Sequence, residues 1–254
     1  MNSGGRHSPV IIQAGFDLRL VLRNGEQLLL TMVIPIGLLL GTTLVGAVPL
    51  SAPPGAARSA EALGGVLAVA IVSSAFTSLA ISLGFDRRSG ALLMWATTPL
   101  SRSGILVARI LATLAVVGVQ ALLLVLTALA LGWRPGTPAL ALPFVLAAGT
   151  ACFASLGFAL GGAVRAEATL ALANAIFLIL VVVGGTTFPT TSLPVPLATI
   201  VGLLPSSSLG DLLRWTTGGT PVPVTGLSLT WDVFLLCAWG LSAAALSART
   251  FRWR

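Results

Sequence analysis

The sequence predicts an all-α polytopic membrane protein, and three observations carry that expectation. The 254 residues are 56% hydrophobic and only 8% charged, with a mean hydropathy of +1.01. A water-soluble chain of this size needs far more charge to cover its surface. The apolar residues gather into six runs, roughly 28–48, 62–85, 104–131, 139–162, 168–188 and 229–248. Each is near the length of about twenty residues that carries a helix across a bilayer. The arginines then segregate. With both termini in the cytoplasm, Arg6, Arg19, Arg23, Arg87, Arg88, Arg102, Arg109, Arg165, Arg249, Arg252 and Arg254 lie inside, and only Arg58, Arg134 and Arg214 lie outside. That is a positive-inside bias.

Several function classes are excluded early. The net charge of +7 comes from 14 basic residues against 7 acidic ones, but the basic residues sit at the ends of apolar runs rather than in a patch that would grip nucleic acid. All 14 are arginine, a usage that fits a GC-rich, bacterial source. A chain without lysine cannot contain the P-loop that cradles nucleotide phosphates. No catalytic constellation is visible either: the one histidine is His7, and neither Cys152 nor Cys237 has a metal-ligand spacing. The chain itself is therefore not expected to be an enzyme, and it calls for no metal or cofactor of its own. Both cysteines fall in apolar spans and read as packing residues.

Residues 1–27 form a cytoplasmic N-terminal segment without a removable signal peptide. Within it, Val10, Ile11, Ala14, Leu18, Val21 and Leu22 share one helical face, with Gln13, Asp17, Arg23 and Asn24 opposite. Ile12, Phe16 and Leu20 blur the separation. A basic amphipathic helix ahead of a span is expected to lie in the membrane interface; a solvated leader helix is the alternative. Residues 28–254 form one membrane domain. In the first span, Gly37 and Gly41 make a small-xxx-small pair suited to close helix approach, and Pro35 can kink the helix. In the second, Ser74, Thr77, Ser78 and Ser82 follow helical spacing as a stripe. Gln120 falls in the third span, Gly157 and Gly161 in the fourth, and Asn174 in the fifth.

These weakly polar groups have two readings, which the sequence leaves open. They serve helix packing, or Ser74, Thr77, Ser78, Gln120 and Asn174 line a path for a hydrophobic or amphipathic substrate. An ion would need denser polar ligands. The few ionisable residues near the spans, Glu61, Arg109, Arg165, Glu167 and Asp232, fall near span ends, and Trp133, Trp215, Trp231 and Trp253 sit where an aromatic belt belongs.

Two loops break the apolar pattern. Residues 84–102 contain Asp86-Arg87-Arg88-Ser89-Gly90, then Ala91, Leu92, Met94 and Trp95 at helical spacing, then Thr98-Pro99-Leu100-Ser101-Arg102. This reads as a short cytoplasmic helix stopped before proline. It could simply cap the bundle. Between the fifth and sixth spans, residues 188–215 carry Pro189, Pro194, Pro196 and Pro205, too many for an ordinary span. Two short helices, over 193–204 and 206–214, fit a segment that enters the bilayer and turns back; a plain external loop is the other reading.

The first loop resembles the corresponding segment of ABC-2 type exporter permeases, although family members usually carry glutamate where this chain has Asp86-Arg87-Arg88. The Leu-Pro-Val-Pro-Leu and Leu-Pro-Ser-Ser-Ser strings at 193–197 and 204–208 resemble the family's re-entrant external helices. The resemblance implies a type V exporter-like fold: an N-terminal elbow helix, six spans, a coupling helix between spans 2 and 3, and re-entrant helices between spans 5 and 6. It further implies that Asp86, Arg87, Arg88 and Arg102 make polar contact with a separate ATPase subunit while Leu92 and Trp95 fill its groove. ATP and magnesium would be held by that partner. A second permease subunit, identical or homologous, would meet this one through the first and fifth spans, near Gly37 and Gly41. The implied function is export of a drug- or antibiotic-like molecule across the plasma membrane, resembling daunorubicin-type exporters. Alternatives are lipid, glycan or haem-biogenesis export by the same fold, or a membrane-embedded enzyme or scaffold without an ATPase.

Overall fold

The computed structural model describes residues 9–23, 25–46, 50, 52–53, 55–91, 101–184, 195–218 and 229–250, and every regular element among them is helical. Helix α1 (Pro9–Arg23) precedes α2 (Gly25–Leu40), which continues through a π-helical turn, Gly41–Val45, and stops at Gly46 in a left-handed conformation. Next come α3 (Ala56–Ile71), a π-helical stretch Val72–Ser78 and α4 (Leu79–Arg88), together one continuous helix of 33 residues. Helix α5 (Arg102–Ala130) starts where the Ser101 hydroxyl accepts the Gly104 N–H at 3.1 Å, a side-chain cap for an otherwise orphan donor. Helices α6 (Leu142–Ala163) and α7 (Ala166–Val182) follow. Then come the short α8 (Val195–Gly202), α9 (Pro205–Thr217) and α10 (Leu229–Thr250).

Each of the six apolar runs is helical over its described residues, and the helices differ in length. Four helices are long and apolar enough to cross a membrane: Ala56–Arg88, Ser103–Ala130, Thr137–Ala163 and Leu229–Ala248. The first and fifth runs are represented by shorter apolar helices, Thr31–Val45 and Ala166–Val182. At 1.5 Å per residue the latter is about 25 Å long, short of a hydrocarbon core of about 30 Å. The proline-rich segment does form two short helices, α8 and α9, bent by 81° at their junction, which is a broken span or a re-entrant turn. Pro205 sits in the first turn of α9, where its missing N–H costs nothing, and Gly218 ends the helix at φ 88°.

Span 2 is the structural axis. The helix Ala56–Arg88 is about 50 Å long, more than a hydrocarbon core of about 30 Å needs. Its upper half packs on α9 and its lower half on α6 and α7. Glycines set these approaches: a Cβ on Gly64 would lie 2.9 Å from the Arg214 backbone. On Gly157 a Cβ would lie 2.6 Å from the Phe76 carbonyl oxygen, and on Gly161 2.5 Å from that of Ala80. The core between these helices holds Leu63, Leu67, Ile71, Phe153 and Leu209, all essentially sealed from solvent.

Helix α1 forms as expected, but its inward side mixes the two predicted faces, with Val10, Gln13, Leu18 and Val21 half-buried. Ala14 and Asp17 are buried against α5, while Ile11, Ile12, Phe16, Leu20 and Leu22 are all more than half exposed. The residues that blurred the sequence pattern are thus part of a continuous outward apolar stripe. Asp17 turns inward because a cation waits for it there. Trp133 also departs from the belt expectation: it is buried, and its indole N–H donates to the Thr217 carbonyl at 2.7 Å. Trp231 does sit exposed at the start of α10, stacked on Phe234.

Candidate functional site

The last turn of span 2 places Asp86, Arg87 and Arg88 next to the segment 90–98, and each binds a different helix. The Asp86 carboxylate accepts from the Arg109 guanidinium of α5 at 2.6 Å. The same guanidinium reaches Asp17 of α1 at 3.3 Å and the Ser82 hydroxyl at 3.4 Å. Arg87 donates to the carbonyls of Gly161, Gly162 and Val164 at 3.4, 2.8 and 3.2 Å. The first two are orphan acceptors in the last turn of α6, where the helix dipole also favours a cation; the Val164 carbonyl also accepts from the Thr169 hydroxyl. Arg88 pairs with Glu167, in the first turn of α7, at 2.5 Å. Both partners of that pair are more than 60% exposed, so its contribution to stability is small, at most about 1 kcal/mol.

The Asp17 carboxyl is held above the usual carboxylate range. Burial is the main cause; the Arg109 charge and a 2.9 Å hydrogen bond from the Gln13 amide oppose it, and the Asp86 charge adds to it. One guanidinium therefore serves two carboxylates, one of them almost fully desolvated.

Among the expected ATPase contacts, Asp86 and Arg87 are engaged inside the chain and Arg88 is the accessible one. Leu92, Trp95 and the Arg102 side chain lie outside the described residues. The coupling helix expected over 90–98 lies there too, apart from its first residues: Gly90 turns the chain at φ 78° and Ala91 is helical.

The expected substrate path comes together only in part. The Ser74 hydroxyl donates to the Gln120 side-chain oxygen at 3.1 Å, and the Gln120 amide donates to the Thr31 carbonyl at 2.9 Å, joining α2, span 2 and α5. The π-helical stretch adds a residue to the turn and shifts the register of the predicted stripe. Thr77 is buried without a hydrogen-bond partner for its hydroxyl, whereas Ser78 is half-buried. Asn174 stands apart on the exposed side of α7, its amide donating to the Leu170 carbonyl of its own helix. Gly37 is exposed with nothing near the position a Cβ would take, and Gly41 is half-buried. Gly157 and Gly161, by contrast, serve packing within the chain.

The sequence reading missed the charges at the other end of the bundle. Asp211 and Arg214 are paired at 3.3 Å, and Arg214 is only 6% exposed. Glu61 is buried close by, its carboxylate accepting the Ala52 N–H at 2.9 Å. Glu61 and Arg214 flank a small cavity of about 20 Å³ lined also by Leu38, Thr42 and Val66, large enough for one water. The signal that could have found this cluster is the presence of Asp211 and Arg214 one turn apart on a segment too apolar to be a plain loop. Among the described residues no group of histidine, cysteine and carboxylate side chains could hold a metal ion.

A comparison with curated proteins gives no match. A family model described as ABC-2 family transporter protein matches residues 47–249, from just after α2 almost to the end of α10. With most of its length matched, and with multiple apolar helices to place it in a membrane, the chain belongs to the ABC-2 family of transporter proteins.

Proposed function

We infer that this chain is the transmembrane subunit of an ATP-driven exporter, working with separate ATPase subunits and a second permease subunit. Its substrate is a hydrophobic or amphipathic, drug-like molecule leaving the cell across the plasma membrane. Both termini face the cytoplasm, as does the end of the bundle that carries α1 and residues 86–88. The single observation that supports this reading most is the base of span 2. A helix about 50 Å long, more than a hydrocarbon core of about 30 Å needs, ends on a charged turn. That turn is tied to α5, α6 and α7 immediately before the segment 90–98. Force applied to that segment has direct routes into the bundle. Since the lysine-free chain has no P-loop, the force must come from a partner.

In this reading Arg88 and Trp95 contact the ATPase, Leu92 fills its groove, and Arg102 flanks it. α1 is the elbow helix, with its apolar stripe in the interface. ATP and magnesium are bound by the partner, and transport requires that the substrate bind one permease state better than the other. The orphan Thr77 hydroxyl, at a π-helical stretch of the kind often found at functional sites, is the best candidate for substrate contact among the span residues.

The test is purification through a tag on this chain. A P-loop subunit is expected in stoichiometric amount, and a double R88A/W95A variant is expected to insert normally but lose substrate-stimulated ATP hydrolysis. Absence of any P-loop subunit would favour a scaffold or a membrane enzyme. Stimulation by lipid or glycan precursors rather than by amphipathic drugs would redirect the substrate class.

A further inference from the structure

We propose that Arg109 is a positioning residue that fastens α1 to the base of span 2, so that the N-terminal helix and the root of the 90–98 segment move as one body. The Arg109 side chain is only 14% exposed and its guanidinium is committed on two sides, to Asp86 at 2.6 Å and to Asp17 at 3.3 Å. Asp86 ends span 2 four residues before Gly90, whereas Asp17 lies at the centre of α1, held also by Gln13. Helix α1 packs chiefly on α5. Its outward face is apolar, and on its inward face only Ala14 and Asp17 are fully buried, with Val10, Leu18 and Val21 half-buried beside them. Apolar contact of that kind is non-directional, and the ionic bridge is the specific connection. Burial makes that bridge decisive: removing the one cation strands the desolvated Asp17 carboxylate beside a second, partly exposed one, whereas exposed pairs such as Arg88–Glu167 can rearrange in water.

The consequence for mechanism rests on the reading of this chain as a permease driven through residues 90–98. Displacement of that segment by an ATPase pulls on Asp86, and through Arg109 it swings α1 with the base of span 2 rather than leaving it in the interface. Arg87 and Arg88 pass the same displacement to the α6 and α7 ends, so one turn of helix distributes the motion to four elements.

The experiment uses the full chain in lipid nanodiscs of phosphatidylethanolamine and phosphatidylglycerol, with Cys152→Ala and Cys237→Ala. Nitroxides at Arg19→Cys on α1 and Ser89→Cys at the root report their separation by pulsed electron resonance. A second pair, at Arg134→Cys and Trp231→Cys, watches the opposite end of the bundle. One narrow distance is expected for the parent chain and for R109K, which keeps the charge. For R109M, which keeps the bulk, the first pair should broaden while the second stays sharp. A narrow first distance in R109M overturns the proposal, and so does broadening of both pairs, which would mark Arg109 as a general packing residue. In the complex purified with its ATPase, R109M should lose substrate-stimulated turnover with an unchanged KM for ATP, and R109K should retain it. Full turnover in R109M despite a broadened first pair would overturn the role in transmission. If no ATPase co-purifies, the exporter reading fails while the distance measurement still decides the link.

Discussion

Replacing Gly157 with alanine tests whether span 2 and α6 are locked backbone to backbone. The added methyl would lie 2.6 Å from the Phe76 carbonyl oxygen, 3.0 Å from that of Ala75 and 3.1 Å from the Phe76 Cα. All three are main-chain atoms of a buried helix, so no side chain can swing aside. The methyl sits roughly 0.8 Å inside ordinary contact, and close-packed interiors transmit such strain rather than absorb it. Overpacking of this kind costs about 1–3 kcal/mol. Helix propensity works the other way, favouring alanine over glycine by about 1 kcal/mol. Gly118, on the exposed side of α5 with nothing within 4 Å, supplies the propensity term alone. The difference between G157A and G118A therefore isolates the clash, at about 2 kcal/mol, or roughly 30-fold in the folded-to-unfolded ratio. Unfolding the purified chain from mixed micelles with dodecyl sulfate, followed by tryptophan fluorescence, measures it. G118A should be as stable as the parent or slightly more so, and G157A clearly less. Coincident midpoints for the two variants would refute the close approach of these helices.

Two further outcomes follow from the buried charges. Because the folded state holds Asp17 above the ordinary carboxylate range, the group's contribution to stability is full below that range and is lost as pH rises through the raised value. Arg109 and Asp86 face it from α5 and α4, and Gln13 from its own helix. D17N should flatten the decline in thermal stability between acidic and neutral pH, and parallel curves for D17N and the parent would contradict the assignment. At the other end, R214M should cost about 3–5 kcal/mol, because it leaves the Asp211 carboxylate buried without its cation and removes the charge that faces Glu61 across the cavity. The double variant R214M/D211L should recover most of that loss in the same unfolding assay. An R214M chain as stable as the parent would mean that water already reaches the cluster.

Hydrophobic run length and arginine placement predicted helices over every apolar run, and the proline spacing predicted the two short helices between the fifth and sixth runs. These are local properties. An apolar stretch in lipid must satisfy its own backbone hydrogen bonds, so it becomes helical whatever its neighbours do. Proline ends a helix by its ring and its missing donor, also without help from elsewhere. Helix ends were less legible. The fifth helix stops at Val182, six residues before the end of its apolar run, and a run of apolar residues does not announce where its helix stops.

The pairing of charges was not legible at all. Asp17 reads in sequence as part of a solvated face, and only the packing of α1 on α5 brings it to Arg109, 92 positions away. Arg87 looks like a surface cation until the end of α6 is found beneath it with the carbonyls of Gly161, Gly162 and Val164 within reach. Arg214 counts as external by the arginine rule, yet it is buried against Gly64, where a missing side chain lets two helix backbones meet. What the sequence by itself determined is the solvent this chain lives in and the helices that solvent demands, because both depend on runs of neighbouring residues. Which charge meets which, and which polar face turns inward, belongs to the tertiary structure, because a buried charge is tolerable only beside a partner that the fold must carry in from elsewhere in the chain.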